Sequence, residues 1–122
     1  MDPLRVVAAG ETATGVALML LPGVVTGLLF GADATGLGLV MARIAGIALV
    51  GLGIACWPRA GSDGGARLAR TALLVYSALA TLYLSALAVA GEFRGVLLWP
   101  AVVVHLVVSV LLVRGLPPRA AP

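Results

Sequence analysis

Four long apolar runs, residues 4–21, 37–57, 68–90 and 96–113, fill most of this chain. No water-soluble fold of its size has enough interior to hide them. An α-helix rises about 1.5 Å per residue, so roughly 20 residues cross a hydrocarbon core of about 30 Å, and each run fits that length. Charged residues make up 11% of the chain and the mean hydropathy is +1.14, whereas soluble domains carry about a quarter charged residues. Lipid is therefore the expected solvent. The predicted fold class is all-α: a polytopic membrane bundle of four transmembrane helices forming one domain over residues 1–122.

Arginine placement predicts the orientation. The turn between the second and third runs holds Arg59 and Arg67, closely followed by Arg70, and shares a side with Arg5, Arg114 and Arg119, so six of the eight arginines fall on one face. The other face holds Asp33, Glu92 and Arg94. The excess of positive charge marks the cytoplasmic side, which places both termini inside, with Trp57 and Trp99 in the two aromatic belts. The first run has one basic residue, Glu11 in its middle and no clear small-residue cleavage site, so it reads as a retained span and not as a signal peptide. A net charge of +3 matches head-group contacts better than a nucleic-acid partner, which the sequence argues against.

Residues 23–36 are too short to span and too apolar for an ordinary loop. Val24, Val25, Leu28 and Leu29 recur at helical spacing, with Pro22 suited to a helix start and Gly31 to its end. A short amphipathic helix on the outer interface, or an extended loop packed over the bundle, satisfies that pattern. Pro100 either opens the fourth helix in its first turn or kinks it one turn in.

Helices in lipid associate through close backbone approach, so small residues mark their contacts. Three such stripes stand out: Ala9, Ala13 and Ala17 in the first run; Ala42, Gly46 and Gly53 in the second; Ser77, Thr81 and Ser85 in the third. They predict a tight bundle, and a homodimer face is the alternative use.

Three ionisable groups sit well inside the runs: Glu11, Arg43 and His105. Glu11 lies about 10 to 13 Å from the inner edge and His105 about 13 to 14 Å from the outer one, so both fall near the midplane. Ser77 and Thr81 come at similar depth, and Tyr76 and Tyr83, seven residues apart, share a face that lines a cavity or packs in the core. Glu11 is then either a neutral acid or paired with His105 or Arg43, and serves as a proton acceptor or ligand-orienting group, or as an interhelical hydrogen-bond partner. Arg43, about 9 Å from the outer edge, anchors an anionic ligand or holds its helix in register by an ion pair or by reaching the interface. A central Arg costs roughly 2.5 to 3.5 kcal/mol, which the surrounding Leu, Ile and Val residues offset at about 0.3 to 0.6 each. His105 is a proton relay, an axial haem ligand or a hydrogen-bonded core residue; one histidine per chain provides two protein ligands to haem only across a dimer.

The ligand-binding or proton-relay candidates are thus Glu11, His105, Arg43, Tyr76, Ser77 and Thr81. No catalytic residue and no metal set is predicted. The single Cys56 excludes an internal disulfide or CxxC pair, and Gly51-Leu52-Gly53 lacks the context of a phosphate loop.

The stretch Ala42-Arg43-Ile44-Ala45-Gly46, followed by Gly51 and Gly53, resembles the second-helix pattern of small bacterial four-helix proteins grouped as DoxX-like. Gly10-Glu11-Thr12-Ala13-Thr14-Gly15 and Leu98-Trp99-Pro100 are similar to the same set, so the likeness covers nearly the whole chain. It implies a bacterial inner-membrane bundle, some of whose relatives are membrane subunits of quinone-linked oxidoreductases; it transfers no catalytic residue. The first functional expectation is a non-enzymatic accessory or structural subunit that docks on a membrane-protein partner in the bilayer. A proton or small-molecule carrier or channel, acting as a homodimer, is the second. A quinone- or haem-binding redox subunit is the third, although no cofactor is predicted outright.

Overall fold

A computed structural model describes residues 2–57 and 63–115, and among them the chain is all-helical with no strand. The elements are α1 (Pro3–Leu20), α2 (Pro22–Phe30), α3 (Leu37–Ala55), α4 (Asp63–Ala90) and α5 (Leu98–Arg114). Arg59 and Arg119, used above for orientation, lie outside the described residues.

Local chemistry sets the helix ends. Asp2 caps α1 by accepting from the Leu4 amide at 3.0 Å, with Pro3 in the first helical position, where its missing N–H is harmless. Leu21 precedes a proline, which disfavours helical geometry there, and its φ of −129° and ψ of 51° break the helix. The chain turns through 112° into α2. Gly31 closes α2 in the left-handed region, at φ 70°, and returns its N–H to Gly27 O at 2.8 Å. Of the two readings of this segment the structure forms a helix, but one that is apolar around its whole circumference and not amphipathic. Pro100 falls in the first turn of α5, so it opens that helix without a kink. The polar turn expected up to Arg67 is shorter than anticipated: α4 already runs from Asp63, because Ala66, Arg67, Leu68, Ala69 and Arg70 are strong helix formers.

Two helices, α3 and α4, are individually long and apolar enough to cross a membrane. α1 and α2 are long and apolar enough only together, across their bend, and α5 has 17 residues. Large apolar side chains stand exposed on every helix, including Leu20, Val24, Ile47, Leu82 and Val103. A surface of that kind needs a bilayer or a partner to cover it.

Two antiparallel pairs make up the fold, α1 with α3 and α4 with α5. Where α1 crosses α3 the backbones nearly touch: a Cβ on Gly46 would stand 2.6 Å from Gly15 O, and one on Gly53 would stand 2.6 Å from Ala8 O and collide with the Thr12 hydroxyl. Gly46 and Gly53 of the expected α3 stripe are thus true contacts, while Ala42 is only half-buried. The expected α1 stripe is not a contact of this kind, since Ala9 and Ala13 are exposed. Gly15 admits a closer approach than any alanine, and it turns Ala8, Thr12 and Gly15 toward α3 instead.

The pairs join at their two ends. At one end Leu4 and Val7 of α1, Leu52 of α3 and its C-cap Cys56, Ala69 and Leu73 of α4, and Val108 and Leu112 of α5 form one apolar cluster. This brings the start of α1 and the end of α5 together, and with them Arg5, Arg67, Arg70 and Arg114. The Arg70 guanidinium packs on Gly115, at the C-terminus of α5, where exposed carbonyls favour a cation. At the other end Leu29 and Phe30 of α2 pack with Leu84 and Ala88 of α4 and with Leu98 and Val102 of α5. There the amides of Arg94 and Leu97 donate to Phe30 O at 3.0 Å and Leu28 O at 2.9 Å, which satisfies carbonyls that α2 cannot pair internally. Phe93 meets Phe30 edge to face, with ring centres 5.4 Å apart.

Candidate functional site

Five hydroxyls of this chain are spent on their own helices. Thr12, Thr26, Thr71, Thr81 and Ser109 each donate to the carbonyl four residues back, at 2.8 to 3.0 Å. In lipid this is the least costly way to hide a hydroxyl. Polar groups left over after such pairing are the ones with interhelical work to do.

Those groups gather in one layer between the two apolar clusters. Glu11 lies one turn beyond Val7 on α1, Tyr76 one turn beyond Leu73 on α4, and His105 one turn before Val108 on α5. Glu11 lies within interaction range of both Tyr76 and His105. Tyr76 and His105 rings meet edge to face, their centres 5.8 Å apart. His105 Nδ1 donates to Ala101 O at 2.8 Å. A carbonyl only accepts, so Nδ1 carries a proton in this contact.

Ser77 follows Tyr76 on α4. It is wholly buried, and its Oγ is the one buried side-chain polar atom without a partner among the described residues. Its carbonyl, by contrast, accepts from Thr81. A buried hydroxyl left unmade costs about 1 to 3 kcal/mol, so Ser77 Oγ marks a place where a group from outside the chain would be stabilising.

The remaining candidates separate from this layer. Thr81 is half-buried and satisfied within α4. Arg43 is exposed on α3, beside Val40, Met41, Ile44 and Ile47, and the groups acting on Glu11 are His105 and Tyr76. Tyr83 does not share the Tyr76 environment, since it is 66% exposed: α1 packs with α4 near the Leu4 cluster but ends before the Leu84 cluster, where α2 takes its place. A shallow groove of about 530 Å³ lies elsewhere, between α1 and α3, lined by Ala9, Thr12, Ala13, Ile54 and Trp57. It is apolar and open, a shape that acyl chains fill, and it does not reach Glu11. No group of three His, Cys, Asp or Glu residues converges among the described residues.

Sequence reasoning singled out Glu11 and His105 through depth alone. It missed the direct Tyr76–His105 contact and the unpaired Ser77 hydroxyl; the signal for the latter was Leu73 at the preceding turn, on the one face of α4 that packs all along α5. Comparison with family models, with curated proteins and with solved structures finds no match.

Proposed function

We propose that the chain is a four-span protein of the bacterial inner membrane, with both termini in the cytoplasm, and that it is a non-enzymatic carrier for a proton or a small molecule. The observation that carries this reading is the Glu11–Tyr76–His105 layer, formed by three helices and bounded above and below by apolar clusters. Ionisable groups are rare at such depth because each costs several kcal/mol to place there, and they mark ion or substrate pathways. Four arginines at the Leu4–Leu112 end support the orientation. α1 with its α2 extension, and α5 with the turn before it, serve as the two shorter spans. A layer built by so few helices is too small to enclose a wide aqueous path, which favours a homodimer as the working unit.

The test is proton flux in proteoliposomes containing the full chain. Wild type is expected to dissipate an imposed pH gradient, and Glu11→Gln to abolish that activity while keeping wild-type helicity. Flux that is unaffected by Glu11→Gln refutes the reading.

A second reading, the accessory subunit, is favoured by Arg43. It stands exposed on an apolar face of α3, where a partner helix bearing a carboxylate would neutralise it. Loss of a co-purifying membrane partner in Arg43→Ala would support that role. A DoxX-like relationship is proposed on the same footing as the motif that suggested it, Ala42 to Gly46 with Gly51 and Gly53.

A further inference from the structure

The groove between α1 and α3 has an apolar floor and a cationic mouth, and the two together describe its occupant. Ala9 and Ala13, exposed on α1, leave a trough of about 530 Å³ against Ile54 and Trp57. Thr12 lies between them, but its single hydroxyl hydrogen is donated to Ala8 O at 2.9 Å. The Trp57 indole N–H, at the end of α3, is the one remaining side-chain donor of the lining. The floor therefore suits hydrocarbon, and polar contacts belong to the end where Trp57 stands.

Arg5 lies at that end. It precedes Ala9 by one turn of α1, on the same face, and is exposed. Helix side chains lean toward the N-terminus, which carries the guanidinium outward from the trough. Its level matches that of Trp57, because their sequence neighbours Leu4 and Cys56 belong to one apolar cluster. Asp2 is turned to the Leu4 amide, which its carboxylate caps. Arg67, Arg70 and Arg114 stand at the same end of the fold and add to the positive field. From Arg5 to Ala13 the helix rises about 12 Å, so the trough continues from head-group level into the hydrocarbon. An acyl chain fits the floor and an anionic head group fits the mouth. A free phosphate would use only the mouth, and a neutral lipid or a packed helix only the floor.

We infer that this groove binds one anionic phospholipid of the leaflet at the arginine end, with an acyl chain along Ala9 and Ala13, the phosphodiester on Arg5 and the Trp57 indole beside the chain's ester. The inference goes beyond the carrier reading and does not depend on it.

The chain has two tryptophans, Trp57 in the groove and Trp99 at the start of α5, so a single phenylalanine substitution isolates either as a fluorescent reporter. The full chain bearing Trp99→Phe is reconstituted in phosphatidylcholine vesicles containing acyl-brominated phosphatidylglycerol or, at the same mole fraction, acyl-brominated phosphatidylcholine. Bromine quenches the indole on contact. Quenching of Trp57 is expected to show a preference of roughly fivefold for the anionic lipid, the factor for one arginine near a head group. Trp99, followed in the Trp57→Phe protein, is expected to show none. Arg5→Gln is expected to remove the Trp57 preference, and so is Ala13→Phe, which fills the trough and leaves Arg5 in place. Equal quenching of Trp57 by the two lipids, or a matching preference at Trp99, overturns the inference. A preference that survives either substitution assigns it to the general field of the arginines and overturns the site. Absence of quenching by either lipid means that protein covers the groove, which overturns it as well. The comparison of Trp57 with Trp99 uses the intact groove mouth and floor, so it decides the matter even where Arg5→Gln or Ala13→Phe fails to fold.

Discussion

Replacing Gly46 with alanine tests how closely α1 and α3 are packed where they cross. The added Cβ stands 2.6 Å from Gly15 O and 3.0 Å from Leu18 Cβ, whereas ordinary contact begins at 3.4 Å. Clearing the carbonyl therefore parts α1 and α3 by about 0.8 Å, the difference between 3.4 and 2.6 Å. A gap of that size forfeits a quarter to a half of each dispersion well along the crossing, and dispersion is what associates helices in lipid. Overpacking costs about 1 to 3 kcal/mol, offset by about 0.5 to 1 kcal/mol from better helix propensity, for a net loss of up to about 2.5 kcal/mol. Gly51 is the internal control, because it lies on the same helix with no heavy atom within 4 Å of its Cβ position. Gly51→Ala gains only the propensity and is expected to stabilise, so the two substitutions differ in sign. Reversible unfolding of the full chain in mixed micelles, followed by circular dichroism, measures both. Gly15→Ala meets the same wall from the other side, at 2.6 Å from Gly46 O. Once one Cβ has separated the helices the second is less costly, so the double variant should fall short of additivity by at least about 0.5 kcal/mol. Equal and favourable effects of Gly46→Ala and Gly51→Ala would refute the close-packed crossing.

Three further outcomes follow from the packing. A Cβ on Gly95 would overlap the Leu29 backbone, so Gly95→Ala is expected to release α2 from the α4–α5 turn and raise hydrogen exchange at the Arg94 and Leu97 amides by roughly 5- to 100-fold, as a local loss of about 1 to 3 kcal/mol implies. Leu73→Ala empties a fully buried position in the cluster that holds Cys56; it should cost about 2 to 5 kcal/mol and accelerate maleimide labelling of a thiol that is protected in wild type. Tyr76→Phe keeps the ring edge on His105 and removes only the hydroxyl, the group within interaction range of Glu11, so thermal stability should change by no more than about 1 to 2 kcal/mol while Glu11-dependent proton flux falls; flux at the wild-type level would exclude Tyr76 from the site.

Quantities that follow from one helix at a time were legible in the sequence, and quantities that depend on where a second helix lies were not. Rise per residue alone placed Glu11 and His105 at one depth, and the structure has them in the same layer as Tyr76. Proline and glycine chemistry alone bounded α2 at Pro22 and Gly31. Its direction was not legible, because the 112° bend is fixed by where Leu29 and Phe30 find apolar partners on α4 and α5. The alanine stripe of α1 failed for the same reason. A spacing of four identifies a face but not its neighbour, and Ala9 and Ala13 were outranked by Gly15, whose missing Cβ lets α3 come closer than any alanine would. Tyr76 and Tyr83 share a helical face yet differ in burial, since α1 accompanies α4 for only part of its length. Ser77 combines both cases: its depth was legible from spacing, but its lack of a partner appears only once every neighbouring hydroxyl has been followed to its own carbonyl. In a membrane helix most polar side chains are satisfied locally, so the informative residue is the one whose local bond is missing, and no single-helix pattern distinguishes it from its neighbours.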